Sequence, residues 1–492
     1  MDYVAFLLKS LVKTGSLKVI GPDGAQTTWG DGQGKPVVIR VSEKLSRPGL
    51  LLNADLLIGE AFMDGDLEIV EGDVYDLLEL AARNLWASGR TPPTELVNQT
   101  WRRLIRRAQQ FNPVGASRRQ VAHHYDLSAA LFDNFLDPDR QYSCAYFAKP
   151  DDSIELAQAQ KKRHLAAKLM LEPGQKVLDI GCGWGGLGLY LARAADVSVS
   201  GITLSDEQLL VARERAAGSG LADRVDFRHC DYRNERGRYD RIISVGMFEH
   251  VGINHYDAFF RKVRDLLTDD GVAVVHAIGR SDGPGATNAW IQKYIFPGGY
   301  SPALSEVLPA LERAGLIATD IEILRLHYAE TLKAWRERFN ANRDAIRALY
   351  DEKFCRMWEF YLAGSEVTFR YGGHMVFQIQ MAKKVDTVPL TRDYMFEAEQ
   401  RLPLFPEGIA TPQPAPLPPR PAPAIDEPAA PQPAGLASND DAAPIPQTHP
   451  VAADADPATI PPAASEEAGP ATASRPLDRP RELAGQISAA SG

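Results

Sequence analysis

At 492 residues the chain is too long for one compact core and predicts two or three units. Its four cysteines, Cys144, Cys182, Cys230 and Cys355, are scattered with no CxxC pair, which argues against a disulfide framework or a metal site and fits a reducing cytoplasm. The net charge of −10 sits mostly at one end: residues 405–492 hold 11 acidic and 4 basic residues, so the rest is near −3, and no nucleic-acid partner is expected.

In chain order, the start "MDYVAFLLKSLVKTG" carries Asp2 and lacks the basic opening and small-residue cleavage site of a signal peptide. No apolar run reaches the roughly 18 residues that span a bilayer, so a cytoplasmic protein is expected. Residues 1–95 predict a small α+β unit, with "KPVVIRV" as a strand and "VYDLLELAARNLWA" as a helix. Residues 96–123 predict a linker helix in which Arg102, Arg103, Arg106 and Arg107 surround Trp101, Leu104 and Ile105. Such a helix either rests on anionic lipid, each basic residue contributing about 1 kcal/mol, or is a solvated linker pairing with the acidic first unit.

Residues 124–395 predict the main domain. From Lys161 onward, strands "KVLDI", "VSVSGITLS", "RVDFRHCDY", "YDRIISVGMFEHV" and "GVAVVHAIG" alternate with helices. That alternation specifies an α/β fold with a doubly wound, mainly parallel sheet, whose binding residues cluster at the strands' carboxyl ends. After Pro302 the chain reads as helical, covering part of the sheet or site. Residues 405–492 hold 20 of the 35 prolines and no Lys, Trp or Tyr, a composition that predicts disorder, as a tether or a dispensable extension.

Gly181, Gly183 and Gly186 satisfy G-x-G-x-x-G at a strand-to-helix turn, where missing side chains let the backbone approach a ligand. A lone match of this kind also fits a dinucleotide. Asp179 stands two residues before the first glycine, where a carboxylate orients the loop or meets an ammonium group. The second strand ends in Thr203 and Leu204 instead of a ribose-binding acid, though Asp206 is close by. The third ends in "CDY", where Asp231 can accept from an adenine amino group and Tyr232 can flank its ring. These features suit S-adenosylmethionine, with an NAD-dependent oxidoreductase as the alternative from another class.

The motifs "HHYDLS", "QYSCAYF", "VLDIGCGWGG", "GITLS", "FEHVG", "VVHAIG", "KYIFPGGYSP" and "FYLAGSEVTFR" occur in that order. Together they resemble the cyclopropane-fatty-acid synthase family, including its cyclopropane mycolic acid synthase branch, from about Leu51 to about Lys384. The resemblance implies methylene transfer from S-adenosylmethionine to a cis double bond of an unsaturated phospholipid acyl chain, on the inner face of a membrane that the protein contacts transiently. It implies a Rossmann-like methyltransferase domain behind an N-terminal lipid-engaging one, and leaves open a homodimer and a methyl-branched product. A lipid-binding module with a degenerate transferase domain is disfavoured, because the implied positions hold workable chemistry.

By the same resemblance, Tyr142, Ser143, Gly181, Gly183, Thr203, Leu204, Gln208, Asp231 and Tyr232 contact the methyl donor, and His124, Tyr125 and Asp126 either help close over it or form a local capping network. Cys144, Glu249, His276, Tyr328 and the backbone of Ile278 hold a bicarbonate ion that acts as base. In that set Glu249 accepts from the bicarbonate hydroxyl and fixes the His276 tautomer, both residues ending sheet strands. One position departs from the family: Ser365 stands where well-studied members carry a cysteine. A hydroxyl is a weak nucleophile without an activating base, so this position is expected to shape the pocket.

Overall fold

The computed structural model describes residues 12–46, 54–87 and 128–405. The linker helix over 96–123, His124 to Asp126 and the tail beyond Phe405 lie outside the described residues.

Short strands β1 (Ser16–Ile20), β2 (Gln26–Trp29) and β3 (Pro36–Val41) are followed by helix α1 (Ala54–Asp64), β4 (Leu67–Glu71) and helix α2 (Val74–Ala87). Their sheet has the order β2-β1-β3-β4, with β1 and β3 parallel and the outer pairs antiparallel. Leu17 and Val19 on β1 and Val37 and Ile39 on β3 alternate inward, as period-two strands do, onto a small apolar core with Phe62 and Val74. The strand expected in "KPVVIRV" is β3, and the run "LLLNADLLIGEAFMDGDLEI" resolves into α1 and β4.

The larger sheet follows helix α3 (Ile154–Lys168), in the order β5 (Lys176–Ile180), helix α4 (Gly186–Ala195), β6 (Ser198–Thr203), helix α5 (Asp206–Gly218), β7 (Val225–His229) and β8 (Tyr239–Val245). Helix α6 (Tyr256–Leu266), β9 (Leu267–Arg280), helix α7 (Leu304–Arg313) and β10 (Ile317–Leu324) come next. Helices α8 (His327–Ala341) and α9 (Glu352–Tyr371), strand β11 (His374–Ala382) and helix α10 (Asp393–Arg401) complete the described chain. The strand order is β10-β11-β9-β8-β5-β6-β7. The five strands from β9 to β7 are mutually parallel, and β11 runs antiparallel to both β9 and β10.

This is the doubly wound, mainly parallel α/β sheet that the sequence predicts. Along β5, fully buried Val177 and Leu178 point to opposite layers, so each face of the sheet carries its own apolar core. Burying such a side chain contributes about 1.5–3 kcal/mol. The chain winds from β5 to β7 on one side and then crosses to β8 and β9 on the other. The resulting switch point, between β5 and β8, opens a crevice at the strands' carboxyl ends.

The helical reading after Pro302 is incomplete, because β10 and β11 both lie within it. Strand β11, "HMVFQIQMA", is apolar after His374 except at Gln378 and Gln380, and both glutamines are fully buried. The N-terminal sheet and helices seat on α9 and on residues 289–294. Phe62 meets Phe360 at 6.0 Å, the Trp290 indole N–H donates to Met63 Sδ at 3.3 Å, and Glu60 accepts from Lys293 (2.7 Å) and Tyr294 (2.8 Å). That close seating needs Gly59, where a Cβ would lie 2.5 Å from the Trp290 ring.

Candidate active site

At the end of β5 the backbone turns through Gly181 and Gly183, with φ of +84° and +54°, a region that only glycine enters freely. A Cβ on Gly181 would stand 2.9 Å from Met247. Its N–H and that of Cys182 donate to Ile202 O at 2.8 and 3.0 Å, fixing the loop against β6. The loop opens onto a crevice with about 1150 Å³ of empty space, open solvent at its mouth included.

All ten residues expected around the methyl donor line this one crevice: Tyr142, Ser143, Asp179, Gly181, Gly183, Thr203, Leu204, Gln208, Asp231 and Tyr232. Asp179 is buried with Oδ2 lacking a hydrogen-bond partner among the described residues. Burial pushes its carboxyl up to about 7, against the opposing charge of Lys161. Asp231 is held by Arg233 through Nε (2.8 Å) and Nη2 (2.6 Å), so its carboxylate arrives partly neutralised. Tyr232 sets its ring edge-on to Phe259 at 5.3 Å. Thr203 Oγ1 donates to Gln208 Oε1 at 3.4 Å.

The sequence did not single out Arg140, Gln141, Trp184, Met247 or His250, which line the same walls. Arg140 forks onto Asp133 at 2.6 and 2.8 Å and lies 5.1 Å over the Trp184 ring. Burial alone lowers His250 to about 4, so its ring is neutral at ordinary pH. Trp184 and Gln141 were within reach, since they sit inside the "CGWG" and "QYSCAYF" motifs.

Residues 137–147 have no regular structure and are shaped by side chains. Asp137 accepts from the N–H groups of Asp139 (3.1 Å) and Gln141 (2.9 Å), while Gln158 donates to the carbonyls of Gln141 (3.2 Å) and Ser143 (3.0 Å). Lys161, fully buried on α3, donates to Gln141 Oε1 at 2.7 Å and Ser143 Oγ at 2.9 Å. Burial lowers its ammonium to about 8, with Asp137 and Asp139 pulling the other way. The charge of Lys161 also acts on Cys144, Asp179 and His276, so it couples the crevice to the second group of residues.

In that second group, Glu249 Oε1 accepts from the Ile278 N–H at 2.6 Å, and Oε2 is buried without a hydrogen-bond partner among the described residues. Burial raises this carboxyl to about 7. His276 lies two residues before Ile278 on β9, so both side chains share one face of the sheet. Cys144, Tyr328 and the flank of Ile278 belong to a single apolar cluster. The Cys144 thiol is fully buried, donates to Ala145 O at 3.3 Å and is pushed well above its ordinary value by burial, which leaves it unsuited to attack. Tyr328 stands edge-on to Trp335 at 5.9 Å and meets Phe369 at 4.8 Å.

Three details differ from expectation. Strand β8 stops at Val245, and Glu249 sits in the short 3-10 turn Phe248–His250 instead of ending the strand. His276 lies inside β9, which continues to Arg280, with β11 paired to it from Val272 to Arg280. The His276 ring pairs with Gln378, not with Glu249, whose bonded oxygen serves the Ile278 backbone. Ser365 is half-buried on α9 at one-turn spacing from Tyr361 and Phe369. The Tyr361 hydroxyl pairs with that of Tyr142 at 3.0 Å and Phe369 packs on Tyr328, so Ser365 lies on the helix face between the two groups.

A glycine loop at a parallel sheet's switch point, over a buried carboxylate oxygen without a partner among the described residues, defines an α/β domain that binds a nucleoside-bearing ligand. The family model "Mycolic acid cyclopropane synthetase" matches residues 115–379, and a domain of unknown function, DUF7884, matches residues 4–87. The chain is 38% identical over 354 residues to a probable fatty acid methyltransferase of Pseudomonas putida, covering 69% of this chain and 86% of that protein. It is 37% identical over 353 residues to the cyclopropane-fatty-acyl-phospholipid synthase of Escherichia coli, covering 71% and 89%. A solved mycolic acid cyclopropane synthase, complexed with SAH and CTAB, superimposes with a TM-score of 0.52 at 34% identity, covering 55% of this chain and 99% of that one.

The chain belongs to the mycolic acid cyclopropane synthetase family. It is an S-adenosylmethionine-dependent methyltransferase, and the NAD-dependent alternative is set aside.

Proposed function

We propose that this enzyme transfers a one-carbon unit from S-adenosylmethionine to the cis double bond of an unsaturated phospholipid acyl chain and closes a cyclopropane ring with bicarbonate as base. The observation that carries this reading is the pair of buried carboxylate oxygens without partners among the described residues, Asp179 Oδ2 in the crevice and Glu249 Oε2 beside β9. An orphaned carboxylate oxygen fits a hydrogen-bond donor, which the donor's ammonium group offers to Asp179 and the bicarbonate hydroxyl offers to Glu249. Bound there, S-adenosylmethionine supplies an electrophilic methyl carbon and bicarbonate supplies the base for the proton lost at ring closure.

The chain's own residues do the rest. Gly181 and Gly183 leave room for close backbone approach, and Tyr142, Ser143, Thr203, Leu204, Gln208, Asp231 and Tyr232 line the crevice; in this reading Asp231 accepts from the adenine amino group and Tyr232 flanks its ring. An alkene is a weak nucleophile, so alignment must supply much of the acceleration, on the order of 7–11 kcal/mol for well-oriented groups. Tyr142 packs within 5.1 Å of Trp335 and 6.2 Å of Phe135, and these rings keep water from a cationic lipid intermediate. Each aromatic face facing that cation would offset about 0.5–2 kcal/mol of its charge. Cys144, Glu249, His276, Ile278 and Tyr328 form the anion cradle, with the cysteine as wall. Ser365 shapes the pocket between Tyr361 and Phe369.

The substrate places the enzyme at a membrane surface, as a peripheral protein of the cytoplasmic face. Among the described residues no helix is long and apolar enough to cross a membrane. The basic segment around Arg102 to Arg107 supports surface contact by its charge. The test is purified protein with S-adenosylmethionine, bicarbonate and vesicles of unsaturated phospholipid. Acyl chains should gain the mass of one CH₂ and elute as ring-bearing esters in gas chromatography. Methyl-branched esters would redirect the reading to branching, and unchanged lipid with confirmed donor binding would overturn it.

A further inference from the structure

Three strands carry a polar row across the antiparallel half of the larger sheet. Glu322 on β10 is the direct cross-strand partner of Gln378 on β11, and Gln378 is the partner of His276 on β9. Helix α3 lies over this row and adds Lys168. Gln378 is fully buried and Lys168 is 1% exposed, so water cannot stand in for their partners. One end of the Gln378 amide is 2.7 Å from Lys168 Nζ, and the other is 3.1 Å from His276 Nδ1.

These two contacts determine where the proton of His276 resides. An ammonium group only donates, so the amide atom facing Lys168 is the oxygen. The atom facing His276 is then the NH₂ group, which also only donates. His276 Nδ1 must therefore accept, and the proton of the neutral ring sits on Nε2. Lys168 cannot drift from this post, because its ammonium is also held by Glu322, which is gripped in turn by His164 Nε2 at 2.7 Å. The ring stays neutral because burial, then the charges of Lys161, Lys168 and His164, outweigh Glu322.

We propose that Lys168 and Gln378 are positioning residues that lock His276 as the neutral Nε2–H tautomer, so that it offers the active site a hydrogen-bond donor instead of a lone pair. The use of that donor toward an anion rests on the function proposed above; the lock itself does not. Glutamine is suited to the task because it converts a lysine's donor into a donor pointing the other way. A glutamate would accept at both ends, and an apolar residue would let the ring choose either tautomer.

The test is long-range proton–nitrogen correlation on the full-length protein labelled with ¹⁵N-histidine, with His276 assigned by its loss in His276→Asn. Nδ1 should resonate as an unprotonated, pyridine-type nitrogen and Nε2 as a protonated one. Nδ1 found protonated in the unaltered protein overturns the lock, with no variant needed. In Gln378→Glu the proton should move to Nδ1 or the ring become cationic, and an unchanged ring in that folded variant also overturns it. Lys168→Met is the second variant, in which the freed amide can flip and mixed tautomers are expected. Turnover should fall about 10- to 100-fold in Gln378→Glu, by analogy with partners that orient a metal-bound histidine, while affinity for S-adenosylmethionine holds. A moved proton with undiminished turnover would sustain the lock and defeat the reading of His276 as a donor to the anion.

Discussion

Replacing Lys161 by methionine separates an electrostatic role from a packing role. Burial holds the ammonium at about 8, against an ordinary 10.5, which corresponds to roughly 3 kcal/mol of cost at neutral pH. Methionine removes that cost. It also orphans the buried Gln141 Oε1, at about 1–3 kcal/mol, and takes a partner from the half-buried Ser143 Oγ at a smaller cost; the attraction of Asp137 and Asp139 is already included in the value of about 8. These terms are of similar size, so stability at pH 7 should change by less than about 2 kcal/mol.

The pH dependence separates them more sharply. Because the folded value lies below the unfolded one, the native state binds fewer protons between about pH 8 and 10.5. The cost is fully present below pH 8 and is relieved as pH rises to about 10.5, so the unaltered protein should gain roughly 3 kcal/mol on Lys161→Met across that window. Urea unfolding at several pH values measures this directly. Donor binding by calorimetry should weaken at least about 10-fold, since Gln141 and Ser143 lose their anchor at the crevice wall. A stability difference that stays flat with pH, together with unaltered donor affinity, would refute the reasoning.

Three further outcomes follow from the same geometry. Glu249→Gln keeps an acceptor for the Ile278 N–H but replaces an orphaned carboxylate oxygen, so turnover should drop on the order of 100-fold while the fold persists. The unaltered protein should also lose stability relative to this variant as pH rises from about 4.5 to about 7, because burial raises the folded pKa and the native state holds that proton longer; unfolding across that range checks it. Gly186→Ala would place a Cβ within 2.5–2.6 Å of Gln141 Nε2 and the Asp139 carboxylate, pushing the 137–143 loop off the helix N-terminus. It should destabilise by about 1–3 kcal/mol in urea titrations and weaken donor binding. Ser365→Cys should alter turnover by less than about threefold, because the position shares a helix face with Tyr361 and Phe369 and is expected to shape the pocket; a large gain in rate would restore a nucleophilic role.

The sequence made the crevice legible and left the machinery beneath it hidden, and the reason is physical. Gly181 and Gly183 are needed for backbone conformations that other residues avoid, so the constraint is written in the residue types themselves. The five parallel strands were equally plain, since strands buried on both faces read as apolar runs. Helix α3 shows the opposite case. "IELAQAQKKRHLAAK" has no apolar stripe and reads as a solvated helix, yet Gln158, Lys161, His164 and Lys168 are all buried. Their partners come from distant segments: Lys168 meets Gln378, 210 residues away, and His164 meets Glu322, 158 residues away.

Periodicity reports transfer from water to an apolar interior, and a buried polar row satisfied across four elements leaves no trace in it. For the same reason β11 was missed: Gln378 and Gln380 look like breaks in a strand until Lys168, Thr319 and Tyr394 are seen to pair with them. Burying an ammonium group and two amides costs several kcal/mol when any partner is absent, and an apolar set of similar volume would build the same sheet without that risk. What the apolar set could not do is fix the proton on His276 or anchor Ser143 at the crevice wall. The polar layer between α3 and the sheet is therefore best accounted for by the reaction it supports.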